Sequence, residues 1–306
     1  MIEAVPNVSE GRDRTLIESI ADSIRAVTGV ALLNVSSDPD HNRSVFTYVS
    51  SDAAAMEKAT LALYERAVGS IDLRHHRGAH PRAGAVDVCP FVPLGETTME
   101  ECVALAERIG EQVARRFDLP VYLYEYAART EARRELPAIR SGGFENFQEK
   151  IVDPVWAPDF GPSRTHASAG VTIVGARLPL IAFNVQLTTD RIDIADKVAR
   201  AVRGISGGLR WVRALAIPLP SRGIVQVSMN LLDYRKTPIH RAFTLVREEA
   251  ARHGVAIASA ELVGLVPEDA LFAAAEWFLR LENFERSAVL ERRIEEVTAT
   301  SHMALP

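Results

Sequence analysis

"VALLNVSSDPDHNRSVFTYVS", residues 30–50, decides the fold. Two β-rich runs, "VALLNVSS" and "SVFTYVS", flank the polar turn "DPDHNR" and predict a hairpin. Before it, "DRTLIESIADSIRAVTG" sets Leu16, Ile17, Ile20, Ile24 and Val27 on one helical stripe, with Gly29 as its stop. Before that, "MIEAVPNVS" is a short strand. After the hairpin come the helix "AAAMEKATLALYERAVGSI" and the strand region "AGAVDVCPFVPL". The order is therefore β-α-β-β-α-β. An added helix, "TTMEECVALAERIGEQVARRF", capped by Thr97 or Thr98, and a strand, "PVYLYEYA", extend it.

The second half repeats the order. "LPLIAFNVQLT" is a strand and "DIADKVARAVRGIS" a helix; "WVRALAIPLP" and "GIVQVSMNLLDY" form a hairpin across "SRG". "PIHRAFTLVREEAARHG" is a helix with Pro238 near its start and Gly254 at its stop; "VAIASAELVGLV" is a strand and "PEDALFAAAEWFLRL" a helix. The expectation is an α/β (α+β) chain of two ferredoxin-like subdomains, residues 1–176 and 177–306, each a β-sheet covered by helices. Between the halves, "FENFQEKIVDPVWAPDFGPSRTHASAG" carries Pro154, Pro158 and Pro162. It predicts an ordered loop bordering a cleft between the two sheets.

The 306 residues are 47% apolar and 25% charged, as in ordinary globular proteins. A net charge of −5 argues against non-specific nucleic-acid binding, and no apolar run is long enough for a membrane span. The first residues show neither a basic nor an apolar leader region, so export is not expected, and two cysteines, Cys89 and Cys102, make no disulfide framework. The expectation is a cytoplasmic protein.

Chemistry concentrates in "RHHRGAHPRAGAVDVCPF", residues 74–91. His76 and His80 have the i, i+4 spacing of zinc hydrolases, with His75 beside them. Gly78, Pro81 and Gly84 break the helix that such a site needs, and no metal is expected. A second reading makes His80 an acid–base group. Pro81 pushes it into extended backbone at a strand entrance, and its ordinary pKa suits proton transfer near neutrality. Arg74, Arg77 and Arg82 would then attract a carboxylated substrate. A solvated basic loop without chemistry is the third reading. Asp38, Asp40, Asn42 and Arg43 form a second polar cluster, where turn chemistry accounts for all but Arg43. "DFGPSRTHASAG" offers backbone N–H groups to a ligand but matches no phosphate loop. Asn184 and Asn230 interrupt apolar strands as structural amides or as substrate contacts.

Several ordered stretches carry a family resemblance: "VPNVSEGRD", "HNRSVFTYV", "RGAHPRAGAVDVCPFVP", "PVYLYEYAA", "LPAIRSGGFE", "WAPDFGPS", "GARLPLIAFNVQL", "QVSMNLLD" and "ELVGLVP". Over nearly its whole length the chain resembles the glutamate formimidoyltransferases, folate-dependent enzymes of histidine degradation. The resemblance implies paired ferredoxin-like subdomains, a homodimer, and transfer of a formimino group from N-formimino-L-glutamate to N5 of tetrahydrofolate as co-substrate. It places the catalytic histidine on His80 and the folate loop on Gly161, Pro162, Ser163, Arg164, Thr165, His166, Ala167, Ser168, Ala169 and Gly170. It is compatible with substrate-binding roles for Asn42, Arg43, Arg82, Asn184 and Asn230. Asp87 would orient an imidazole or be structural. Where the animal enzymes have an aspartate on the first long strand, this chain has Ser36, with Asp38 or Asp40 as replacement. The loop "SRTHASAG" also lacks the animal loop's aromatic residue. Three alternatives are kept: a transferase using 5-formyltetrahydrofolate, a folate-binding protein without turnover, and an unrelated metallohydrolase. Roles for His41, His75, His76 and His166 stay open.

Overall fold

The computed structural model describes residues 1–78 and 81–301. The chain divides into two compact units, one of residues 1–179 and one from residue 180 onward.

In the first unit the leading strand is split: β1 (Ile2–Ala4) and β2 (Asn7–Val8) lie end to end, both antiparallel to β4 (Arg43–Ser50) and β5 (Val86–Pro93). Pro6, which has no N–H, sits in the gap, and its carbonyl accepts from Phe46 N. β3 (Val30–Asp38) pairs with β4 as the hairpin expected from the sequence. The order β3-β4-(β1, β2)-β5 is the split βαβ arrangement. α1 (Arg14–Arg25) begins where Asp13 accepts from Thr15 N and Leu16 N, and it buries Ile17, Ile20, Ala21 and Ile24. α2 (Ala53–Ser70) follows the hairpin.

Beyond β5 the sheet continues in parallel. α3 (Met99–Phe117) opens on a capping box between Thr98 and Glu101 and leads to β6 (Val121–Glu125). Two short helices follow, α4 (Leu136–Arg140) and α5 (Gly143–Ile151), and then β7 (Thr172–Ala176), which inserts between β5 and β6. β7 is a fully buried five-residue strand. Its apolar run is broken by Thr172 and Gly175 and has no alternation, so the sequence pattern passed it over. α5 corrects the expectation of a loop from residue 144. Phe147 and Ile151, at i and i+4, are buried, and Phe147 packs edge-on to Tyr122 at 5.4 Å, before the first proline interrupts the chain.

The second unit contains β8 (Ile181–Leu187), α6 (Ile192–Val202), β9 (Val212–Leu219), β10 (Ile224–Leu231), α7 (Ile239–Ala251) and β11 (Ile257–Val263). Its order, β11-β8-β10-β9, is antiparallel throughout and again split βαβ. Phe183, Val185, Val225, Val227 and Met229 form one apolar core with Ile194 and Val198 of α6 and Ala242 and Val246 of α7. α8 (Glu268–Leu279) follows as expected; α9 (Leu290–Ser301), rich in charge, was not foreseen. Among the described residues no helix is long and apolar enough to cross a membrane.

One buried contact ties the hairpin half of the first unit to its parallel extension. Thr172 Oγ1 donates to the Val86 carbonyl (2.6 Å), so the Tyr64 hydroxyl donates to Thr172 Oγ1 (2.8 Å). Thr172→Val keeps the shape and strands both partners. It should cost about 1–3 kcal/mol, read as a lower urea midpoint.

Candidate functional site

Three segments of the first unit converge: residues 9–13 after β2, the β3–β4 turn, and residues 72–78 and 81–87 before and into β5. Asn42 joins them. Its backbone is left-handed (φ 50°), a conformation asparagine tolerates better than most residues. Its Oδ1 accepts from Gly11 N (2.9 Å), its Nδ2 donates to the Arg77 carbonyl (3.1 Å), and its own carbonyl accepts from His76 Nε2 (2.8 Å). Asn42, expected as a substrate contact, thus has its amide committed to backbone partners. The packing leaves no space between these segments: a Cβ on Gly11 would collide with the Asp38 carbonyl, and one on Gly78 with the His41 carbonyl. Asp38 Oδ1 accepts from Asp40 N (2.8 Å) and His41 N (2.9 Å), closing the turn. Its carboxylate also lies 3.6 Å from His41 Nδ1.

Beside this junction is a cavity of about 350 Å³, lined by His76, Arg77, Gly78, Arg82, Phe144 and Glu145 among others. A carbonyl only accepts, so His76 carries its proton on Nε2 when neutral, and Nδ1 is left as an acceptor. That Nδ1 is buried and unpaired. Burial pushes the His76 pKa below the ordinary histidine value; the bond to Asn42 opposes this and Arg82 adds to it. Arg82 Nη2 donates to Glu145 Oε1 (2.7 Å) and to the His76 carbonyl (3.3 Å). His75 is exposed, 3.8 Å from Asp72. Among the described residues no three metal-binding side chains converge. His80 lies outside the described residues; Gly78 and Arg82, on either side of it in sequence, both line the cavity.

Asp87, on β5, is buried. Its Oδ1 accepts from Ala83 N (2.8 Å) and its Oδ2 pairs with Arg140 Nη2. Its partners are thus a backbone N–H and an arginine. Arg43 shares this environment: burial lowers its pKa, Arg140 lowers it further, and Asp87 and Asp38 oppose the shift. Arg140 was missed by residue-level reasoning. It ends a five-residue helix, and only the motif "LPAIRSGGFE" marked the segment.

The 161–170 loop is anchored at both ends. At its start, buried Asp159 accepts from Leu123 N (2.8 Å) and pairs with Arg133 at 3.1 Å. Arg164 pairs with Asp118, and Thr165 N and Oγ1 both donate to Gln148 Oε1 (3.1 and 2.6 Å). At its end, His166 and Gly170 exchange backbone bonds (2.9 and 3.0 Å), and His166 Nδ1 accepts from Ala169 N (3.0 Å). The Ser168 and Ala169 carbonyls accept from Leu73 N (2.8 Å) and Ala85 N (2.9 Å), which joins the loop to the cavity wall. Ala169 and Gly170 are buried, whereas Gly161, Ser163, Arg164 and Ala167 are exposed; Pro162, Thr165, His166 and Ser168 lie between. Asn184 and Asn230 belong to the second unit. They lie on one face of adjacent strands, in the register Asn184↔Ser228 and Ala182↔Asn230, opposite the apolar core.

Family models match in tandem: the formiminotransferase domain, N-terminal subdomain, over residues 1–177, and the formiminotransferase domain over residues 182–303. The chain belongs to the formiminotransferase family. A glutamate formimidoyltransferase of Thermoplasma acidophilum is 48% identical over 298 residues, covering 97% of this chain and 98% of that one. One from Streptococcus pyogenes serotype M1 is 42% identical over 295 residues, covering 96% and 98%. The formimidoyltransferase-cyclodeaminase of Sus scrofa is 40% identical over 289 residues, which is 92% of this chain and 53% of that protein. This formiminotransferase-family chain is accordingly an enzyme, a transferase.

Two outcomes test the junction. Asn42→Ala should destabilise the protein by about 2 kcal/mol or more, through left-handed strain and unpaired neighbours, with Asn42→Gly recovering the strain part in chemical unfolding. His76 has a depressed pKa when folded, so the unfolded chain takes up its proton first. Stability should therefore fall as pH drops below about 6.5, and His76→Gln should flatten that slope in thermal melts.

Proposed function

We propose that this chain moves the formimino group of N-formimino-L-glutamate to N5 of tetrahydrofolate. Near-complete alignment with two glutamate formimidoyltransferases carries the reading. The arginine-lined cavity bordered by Gly78 and Arg82 supports it.

The chemistry asks for few groups. The N5 amine attacks the amidine carbon, and a base takes the amine proton. The tetrahedral intermediate then collapses, breaking the bond to the glutamate nitrogen, which leaves as an amine once protonated. One histidine serves both transfers if its pKa lies near the working pH. His80 has that role here, and Arg82 and Arg43 hold donor carboxylates. Asn42 acts at one remove by holding Arg77 and His76 in the wall. The 161–170 loop receives the folate, and Asn184 and Asn230 are further substrate-binding residues. The family resemblance supplies the rest of the reading, a cytoplasmic homodimer.

Transfer from formiminoglutamate to tetrahydrofolate, assayed for the wild type and His80→Ala, tests this. The variant should lose roughly a hundredfold or more of kcat. Activity that survives the substitution removes His80 from the role. Wild-type transfer from 5-formyltetrahydrofolate alone would make that compound the donor. Tetrahydrofolate binding without turnover would make the protein a binder.

A further inference from the structure

Arg82 is the polar centre of the cavity, and its hydrogen bonding is incomplete. Its side chain is 12% exposed, whereas its partner Glu145 is 56% exposed. Glu145 engages Nη2 through one oxygen, and the neighbouring Nε–H is buried without a partner. Nε and Nη2 together form the edge of a guanidinium that fits both oxygens of one carboxylate. A buried donor left unpaired calls for an explanation, and here it lies on the same edge as the Glu145 contact.

We propose that this Arg82 edge is a carboxylate subsite and that Glu145 is its internal competitor, displaced when a ligand carboxylate enters. The inference rests on the reading of a glutamate-derived donor, and it adds Glu145 to the determinants of donor binding. Three observations carry it. First, Glu145 presents the same chemical group as the ligand but makes one bond where a bidentate carboxylate makes two. Second, Arg82 stays in place when Glu145 leaves, because Nη2 also donates to the His76 carbonyl and the Arg82 carbonyl accepts from Phe144 N (2.8 Å). Third, Glu145 has somewhere to go: it occupies the first turn of α5, where the helix N-terminus favours a negative charge in water. The remaining lining charges favour an anion. Arg74 and Arg77 accompany Arg82, Arg74 is neutralised by Asp72, and Glu145 is the one acid among the described lining residues.

Glutarate, a five-carbon dicarboxylate, probes the subsite without turnover. Calorimetric titration into the wild type and Glu145→Gln should show binding about three- to tenfold tighter in the variant, as expected for loss of a half-exposed charged competitor. The KM for formiminoglutamate should fall by a similar factor, more than any change in kcat. Arg82→Lys added to Glu145→Gln should remove the gain, because an ammonium cannot form the two-pronged contact. Weaker glutarate binding or a raised KM in Glu145→Gln would show that Glu145 holds Arg82 in position, and would overturn the proposal. Equal binding in both proteins, or none in either, would overturn it as well. A wild type that binds glutarate in this way but transfers no formimino group would instead refute the functional reading and leave the subsite standing.

Discussion

The junction beside the cavity depends on one left-handed residue, Asn42. Asn42 turns the β3–β4 hairpin so that its amide meets Gly11 and Arg77 and its carbonyl meets His76. Gly11 N–H and the Arg77 carbonyl are backbone groups and His76 Nε2 an imidazole nitrogen, all more than thirty residues from Asn42 in sequence, and the Gly11 and His76 groups would be buried and unpaired without the turn. The glycines at 11 and 78 are the steric counterpart, since no side chain fits where these segments touch. One turn therefore sets the position of the cavity wall, the tautomer of His76 and the path by which the chain enters the histidine-rich segment.

Around that junction the structure places charge where water is scarce. Asp87 with Arg140, and Asp159 with Arg133, are buried pairs whose carboxylates also accept backbone N–H bonds. Such pairs are poor sources of net stability, because desolvation offsets their attraction, but breaking one leaves a stranded charge. They are better understood as devices that fix position. Asp87 holds the segment after the histidine cluster, and Asp159 holds the start of the 161–170 loop. Arg82 differs in its acidic partner: Glu145 is half in water, whereas Asp87 and Asp159 are buried. That contrast separates the arginines whose acids also hold backbone from Arg82, whose acid borders the solvent.

The two units share a split βαβ plan and use it differently. The second is a four-stranded antiparallel sheet with one apolar face beneath α6 and α7. The first adds β7 and β6 in parallel, and the connection between those two strands contains α4, α5 and the 161–170 loop. That connection carries Glu145 and Ser168 to the segment between α2 and β5, and Arg140 to Asp87 on β5 itself. The extension is thus the part of the fold that completes the cavity.

Much of this was legible in the sequence. The helical stripe of α1, the polar turn at residues 38–43 and the hairpin of β9 and β10 follow from local periodicity and turn chemistry, which act over a few residues. The quoted motifs likewise placed the chain in its family. β7 and α5 escaped because a short buried strand lacks alternation and a nine-residue helix is stabilised by what it docks against. The site divides in the same way. The sequence marked Arg82, Arg43, Asn42 and the 161–170 loop as polar residues in suggestive places, but it could not tell a ligand contact from a structural one. Tertiary structure decided that Asn42 serves the backbone, that Asp87 meets an arginine, and that Glu145 lies on Arg82. The reason is physical: those roles depend on which donors and acceptors remain unpaired once segments more than thirty residues apart are brought together.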